Sequence, residues 1–226
     1  MREEMGLIGF LDNAEDRQYF MEAWNAAGVT CVFQNAGEEG QAVKRLLRRL
    51  ANFTHLTDVI ADEIRRAVHP DDIEGAKRDG VGCLCLTGNG VPMNETWITV
   101  PDELDFVRTF FQLGIRMMHL TYNRRNMLAD GCAESANAGL SDLGRAAIAE
   151  MNRTGIIVDV AHAGRQSSLE AAQASEKPMV ASHTVCQALH EHMRAKPDGV
   201  IRAIADTDGL VGICCIPAFI GCSGDI

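Results

Sequence analysis

The sequence predicts an α/β fold, a (β/α)8 barrel of the TIM type, from three observations. Short apolar runs rich in β-branched residues alternate with amphipathic helical segments along the whole chain. Several of those segments close on a glycine just before the next run, as at Gly28, Gly114 and Gly155, which suits a left-handed helix C-cap. No GxGxxG follows the first run, so the dinucleotide-binding arrangement of a doubly wound sheet yields to the barrel.

The elements follow in order. The runs "LIGFL" (7–11), "VTCVFQ" (29–34), "VGCLCLT" (81–87), "IRMMHLTY" (115–122), "IIVDVAH" (156–162), "MVASHT" (179–184) and "LVGICCIP" (210–217) read as buried parallel strands. Between them, "EDRQYFMEAWNAAG", "EEGQAVKRLLRRLANFTHLTDVIADEIRRAV", "DELDFVRTFFQLG", "SDLGRAAIAEMNRTG", "GRQSSLEAAQASE" and "DGVIRAIADTD" read as helices, with Ser141 as an N-cap. The longest irregular stretch is "NRRNMLADGCAESANAGL" (123–140). Seven strand–helix units fall short of eight, so residues 1–226 are expected to form a single, incomplete barrel domain whose last strand is missing.

Composition narrows the function. A chain of 226 residues, 46% hydrophobic, can bury a full core, and its formal charge of −10 opposes a nucleic-acid footprint. The first residues carry only a short apolar stretch between acidic groups, too short for a signal peptide or a membrane span, so a cytoplasmic protein without a membrane partner is expected. The eight cysteines, Cys31, Cys83, Cys85, Cys132, Cys186, Cys214, Cys215 and Cys222, then read as reduced thiols in strand-like runs.

Two of the apolar runs, "GIIVDVAHAG" (155–164) and "KPMVASHTV" (177–185), break off at a histidine. In a parallel barrel the C-terminal strand ends converge on one mouth, so His162 and His183 are expected to point into a shared cavity. That geometry suits a divalent metal, because neutral imidazole is the commonest protein ligand and its second ring nitrogen needs an acceptor. Asp159, inside an otherwise apolar strand, is a candidate for that buried support. Arg194, in "HEHMRAKPD", offers a planar two-pronged donor for a carboxylate, whereas His190 and His192 beside it read as solvated.

The segments "LGIRMMHLTYNRRNMLADGC", "GLSDLGRAAIAEMNRTGIIVDVAHAG" and "KPMVASHTVCQALHEHMRAKPDGVIRAIADTDGLVGI" resemble the renal (membrane) dipeptidase family, metallopeptidase family M19. The resemblance implies a (β/α)8 barrel with a two-zinc centre at its mouth, hydrolysing dipeptides, and a homodimer as the assembly. It makes His162 and His183 ligands of one zinc and gives Arg194 the substrate carboxylate. The departures matter equally. Where the family carries a His-x-Asp pair, this chain has Phe10 and Asp12; where it carries a bridging glutamate, this chain offers only Thr87, Gly88 or Asn89. Without a bridging anion two cations repel, so one zinc per chain is expected, with Asp12 or a residue of the missing C-terminal portion as its third ligand. Tyr122 stands at the place of a substrate-contacting histidine, and the family's catalytic aspartate falls beyond Ile226.

The expected function is a zinc-dependent dipeptidase-like hydrolase for a dipeptide or similar small amide with a free carboxylate. A family member that binds a small carboxylate without turning it over, and another metal-dependent barrel hydrolase or decarboxylase, remain the alternatives.

Overall fold

In the computed structural model, which describes residues 13–37, 42–96 and 98–221, strands and helices alternate along the chain. All the strand pairings named below are parallel. The expected α/β class is thus borne out, and the order of elements is that of the (β/α)8 type. The chain falls into two compact units, Met1–Thr87 with Leu113–Arg116, and Gly88–Gln112 with Met117–Ile226. The first expected strand, 7–11, and Asp12 lie outside the described residues.

In the first unit, helix α1 (Ala14–Ala26) starts where the Asn13 side chain accepts hydrogen bonds from Glu15 N at 2.9 Å and Asp16 N at 3.2 Å. Strand β1 (Cys31–Gly37) and helix α2 (Val43–Val59) follow, the helix burying Leu50, Phe53 and Leu56. The sequence reading carried this helix on to Val68. Instead the chain leaves it after Val59 and forms strand β2 (Ile64–Ala67), paired in parallel with β3 (Gly82–Gly88) from Ile64↔Gly82 to Ala67↔Cys85. The cause is local. Pro70 opens helix α3 (Pro70–Asp79), and the residue before a proline is pushed out of the helical region, so His69 is extended and caps α3. A strand with Ile64 fully buried then satisfies the backbone that a continuous helix would have used.

The second unit holds helices α4 (Val100–Glu103) and α5 (Asp105–Gln112) and most of strand β4 (Ile115–His119). Strand β5 (Ile157–Asp159) pairs with β4 through Met117↔Ile157, Met118↔Val158 and His119↔Asp159. Strand β6 (Val180–Cys186) pairs with β5 at Asp159↔Val180 and with β8 (Leu210–Ile213) at Val180↔Leu210. The two-residue β7 (Ala195–Lys196) runs beside the end of β6, an element too short for periodicity to reveal. Helix α6 (Asp142–Thr154) begins at the expected cap, with Gly144 N donating to Ser141 Oγ at 3.0 Å, and ends at Gly155, whose φ of 96° is left-handed. Helices α7 (Arg165–Ala174), α8 (Asp198–Ala205) and α9 (Pro217–Ile220) complete the unit. Ile148 and Met151 of α6, Met179, Ala181 and Ile204 of α8 are fully buried and form part of this unit's apolar core.

Among the described residues no helix is long and apolar enough to cross a membrane. The seven described cysteines are free thiols.

Candidate metal centre

Three histidines meet where β4, β5 and β6 lie side by side. His119 ends β4, His162 follows the end of β5 by three residues, and His183 sits within β6. Their ring centroids are 5.1 Å (His119–His162), 5.6 Å (His119–His183) and 4.9 Å (His162–His183) apart. His162 Nε2 and His183 Nε2 approach to 2.9 Å.

The carboxylate of Asp159 lies beneath this triangle. Its Oδ2 is 2.7 Å from His119 Nε2, while Oδ1 accepts from Ala161 N at 2.8 Å and Ser182 N at 3.1 Å. A wholly buried carboxylate needs such partners, because removal from water without them costs several kcal/mol. Ligand atoms of His119, Asp159 and His183 all fall within 4.8 Å of one another, the spacing of donors around one cation.

A further ring of side chains holds the imidazoles. His162 Nδ1 lies 2.8 Å from Asn123 Oδ1, and His183 Nδ1 lies 2.7 Å from Ser182 Oγ. Tyr122, partly exposed, stacks on the His162 ring with centroids 4.1 Å apart and planes inclined by 23°. Arg194 donates from Nε to Ala161 O at 3.2 Å and from Nη2 to His183 O at 3.0 Å, so one guanidinium ties together the chain beside both histidines.

Two of the imidazoles, His162 and His183, are held neutral. Burial, helped by the positive Arg194 nearby, lowers His162 to about 2 and His183 to about 4. Burial alone would raise Asp159, but the facing His119 and the hydrogen bonds to Oδ1 overcome it and hold the carboxyl at about 2. At neutral pH His162 and His183 therefore present uncharged nitrogens beside the anionic Asp159 carboxylate, the protonation state that binds metal.

This donor set fits a divalent cation. His119 Nδ1 and Nε2 and Asp159 Oδ2 are all buried without a hydrogen bond among the described residues, Nε2 and Oδ2 lying 2.7 Å apart without hydrogen-bond geometry, a state that a native interior tolerates only with a reason. Neutral imidazole and carboxylate are ligands for zinc and its neighbours in the first transition series.

Of the residues singled out in the sequence, His162 and His183 are brought together, Tyr122 covers one of them, and Arg194 lies directly behind both. Asp159 supports His119 rather than either of those two, whose second nitrogens are met by Asn123 and Ser182. His192, expected in solvent, instead stacks on Phe219 at 4.3 Å and accepts Arg194 N at its Nδ1, because the chain turns back there to place Arg194. His119 and Asn123 were missed. The available signal was their place in the sequence, His119 within the run 115–122 that precedes the long loop and Asn123 as the first residue of that loop.

A cluster of histidines and a carboxylate at adjoining parallel strand ends makes a candidate metal centre in a fold of the α/β class. The profile of the membrane dipeptidase family, peptidase family M19, matches residues 16–226, and the chain belongs to that family of metallo-dipeptidases. An uncharacterized dipeptidase of Schizosaccharomyces pombe is 37% identical over 116 residues, 50% of this chain and 28% of that protein. The dipeptidase tcpJ of Claviceps purpurea is 30% identical over 164 residues, 72% of this chain and 37% of that protein. Among solved structures, an amidohydrolase from Pseudomonas aeruginosa superposes with a TM-score of 0.76 at 28% identity, covering 87% of this chain and 58% of that one. The matched segments thus span less than two thirds of these proteins' own length.

Proposed function

We propose that the protein to which this chain belongs is a zinc-dependent dipeptidase-like hydrolase, acting on a dipeptide or similar small amide with a free carboxylate. The observation that carries this reading is the 2.9 Å approach of His162 Nε2 to His183 Nε2 above a buried Asp159, in a chain of the M19 family. His162 and His183 would hold one zinc, with Asp159 or His119 as the nearest further donors and Asp12 as the ligand inferred from the family pattern. Zinc, when bound, supplies a Lewis acid for the scissile carbonyl and brings the pKa of its water to about 7.

The chain's own residues do the positioning. Arg194 Nη1 makes no hydrogen bond among the described residues, so its two hydrogens are the donors for a substrate carboxylate, while Nε and Nη2 keep the strand ends in register. Tyr122 walls the histidine cluster from solvent on one side and fixes the plane of the His162 ring.

Elemental analysis and a dipeptide-hydrolysis assay on the full-length gene product test the reading. One equivalent of zinc is expected, lost in both His162→Ala and His183→Ala and kept in Cys83→Ser. Two equivalents would overturn the single-zinc assignment, and a zinc-loaded protein inert on every dipeptide would overturn the activity.

A further inference from the structure

We infer that Asn123 is a positioning residue that fixes the tautomer of His162, so that one histidine of the pair is permanently set to offer its Nε2 lone pair. The inference deepens the proposed metal reading and rests on it for its purpose, but the tautomer itself is a property of the chain.

Asn123 follows Tyr122 and takes a left-handed backbone, φ 63°, which asparagine tolerates far better than most residues. That turn is pressed against Gly131. A Cβ on Gly131 would stand 2.2 Å from the carbonyl carbon and oxygen of Asn123 and 2.5 Å from Arg124 N, so the two segments meet only because glycine has no side chain. Beyond Gly131 the chain clamps both partners: Ala133 N donates to Asn123 O at 2.8 Å, and Cys132 N donates to His162 O at 2.8 Å. Cys132 Sγ also reaches Asn123 Oδ1, at 3.3 Å. The amide of Asn123 is thereby anchored through its backbone and its oxygen, 2.8 Å from His162 Nδ1.

The chemistry follows from what each atom can do. An amide oxygen only accepts, so the proton of neutral His162 resides on Nδ1 and its Nε2 carries a free lone pair. In the metal-free chain that lone pair accepts from His183 Nε2–H, and His183 Nδ1 accepts from Ser182 Oγ. The two histidines are therefore held differently. A serine hydroxyl donates or accepts as required, so His183 is free to move its proton from Nε2 to Nδ1, with Ser182 Oγ turning to accept it. His162 has no such freedom. Only with both protons on Nδ1 do the two Nε2 atoms face one cation with lone pairs, and Asn123 secures half of that state in advance.

Two variants separate the side chain from the backbone. Asn123→Gly keeps the left-handed turn and removes the acceptor, whereas Asn123→Asp keeps an oxygen that can only accept. Two-bond 15N–1H imidazole spectra of the metal-free chain, recorded at about pH 7.5 where neutral imidazole prevails, read the tautomer directly. Wild type and Asn123→Asp are expected to show His162 protonated on Nδ1, and Asn123→Gly to shift towards Nε2 protonation. Zinc affinity by competition with a chelating dye should fall roughly 10- to 100-fold in Asn123→Gly, the range for loss of such supporting partners, and hold in Asn123→Asp. A glycine variant that keeps Nδ1 protonation overturns the assignment. If the expected tautomers appear but the wild-type protein binds no zinc, the metal reading fails and the role of Asn123 in setting the tautomer stands.

Discussion

His119 and Asp159 are direct cross-strand partners on β4 and β5, and His119 Nε2 lies 2.7 Å from Asp159 Oδ2 with both side chains buried. Parallel register puts them there: two neighbouring strands that end together present their last residues on the same edge. Because Oδ1 is already held by Ala161 N and Ser182 N, Asp159 braces three strand ends at once.

Removing that brace should cost stability. Asp159→Ala removes the anion that faces His119 and leaves two backbone N–H groups buried and unpaired, and a loss of about 3–5 kcal/mol is expected from urea unfolding. Asp159→Asn, which keeps the acceptor for the backbone donors, should lose only ~1–3 kcal/mol. A neutral outcome for the alanine variant would show that the pair contributes nothing to folding.

Acid should unfold the chain through its histidines before its carboxylates. The folded values of His162, about 2, and His183, about 4, lie below the ordinary 6.5, so the unfolded chain takes up protons first. Stability then falls as the pH drops below 6.5, by ~1.4 kcal/mol per pH unit for each histidine, until each folded value is reached. Asp159, depressed from 3.8 to about 2, contributes stability that is full above 3.8 and lost only between 3.8 and 2. Urea titrations at pH 7, 6 and 5 on wild type and a His162→Gln/His183→Gln double variant check this, with the slope expected to flatten in the variant. An unchanged slope would mean that the two imidazoles protonate freely in the folded chain.

The meeting of His162 and His183 was legible because both end apolar runs that follow helices, and strand ends in a parallel sheet share an edge. Ser141 and Gly155 were legible for a similar reason, since helix caps have local chemistry. His119 was not. In "IRMMHLTY" it reads as one polar residue within a strand, and only the register Met117↔Ile157 reveals that it faces Asp159. Strand β2 was hidden by Arg65, Arg66 and Ala67, residues with good helix propensity, which pairing with β3 overrides. Asn123 was hidden too, because its role depends on a close approach to Gly131 that no periodicity encodes.

Lys196 should give the same sign of pH dependence in a higher window. It is buried, with Nζ donating to Ala163 O at 2.6 Å and Ser168 Oγ at 2.8 Å, and burial lowers it from 10.5 to about 7. Between those values the unfolded chain holds the proton and the folded chain releases it, so stability should rise from pH 7 towards 10.5, by ~1.4 kcal/mol per pH unit. In Lys196→Met the rise should vanish. A wild-type profile flat across that window would show that Lys196 keeps its charge despite its burial.

Arg194 provides the test of substrate class. Its guanidinium ties Ala161 O and His183 O together, and the ring of Phe219 lies 5.5 Å from its central carbon. A lysine at this position has a single point of charge and cannot reach both carbonyls in one plane, so Arg194→Lys should loosen the strand ends as well as the substrate. On the proposed hydrolase reading this predicts a fall in kcat together with a rise in KM, since a displacement of about 1 Å at the scissile carbonyl costs roughly a hundredfold in rate. The contribution of the substrate carboxylate is separable from that of the strand ends. Amidating the C-terminus of a dipeptide removes the anion while leaving the arginine and its two carbonyls intact, so wild type should discriminate strongly between acid and amide. The Arg194→Lys variant should discriminate much less, because its carboxylate contact is already impaired. If wild type hydrolyses acid and amide equally well, Arg194 serves only to join β5 and β6, and the substrate's free carboxylate must be recognised elsewhere or not at all.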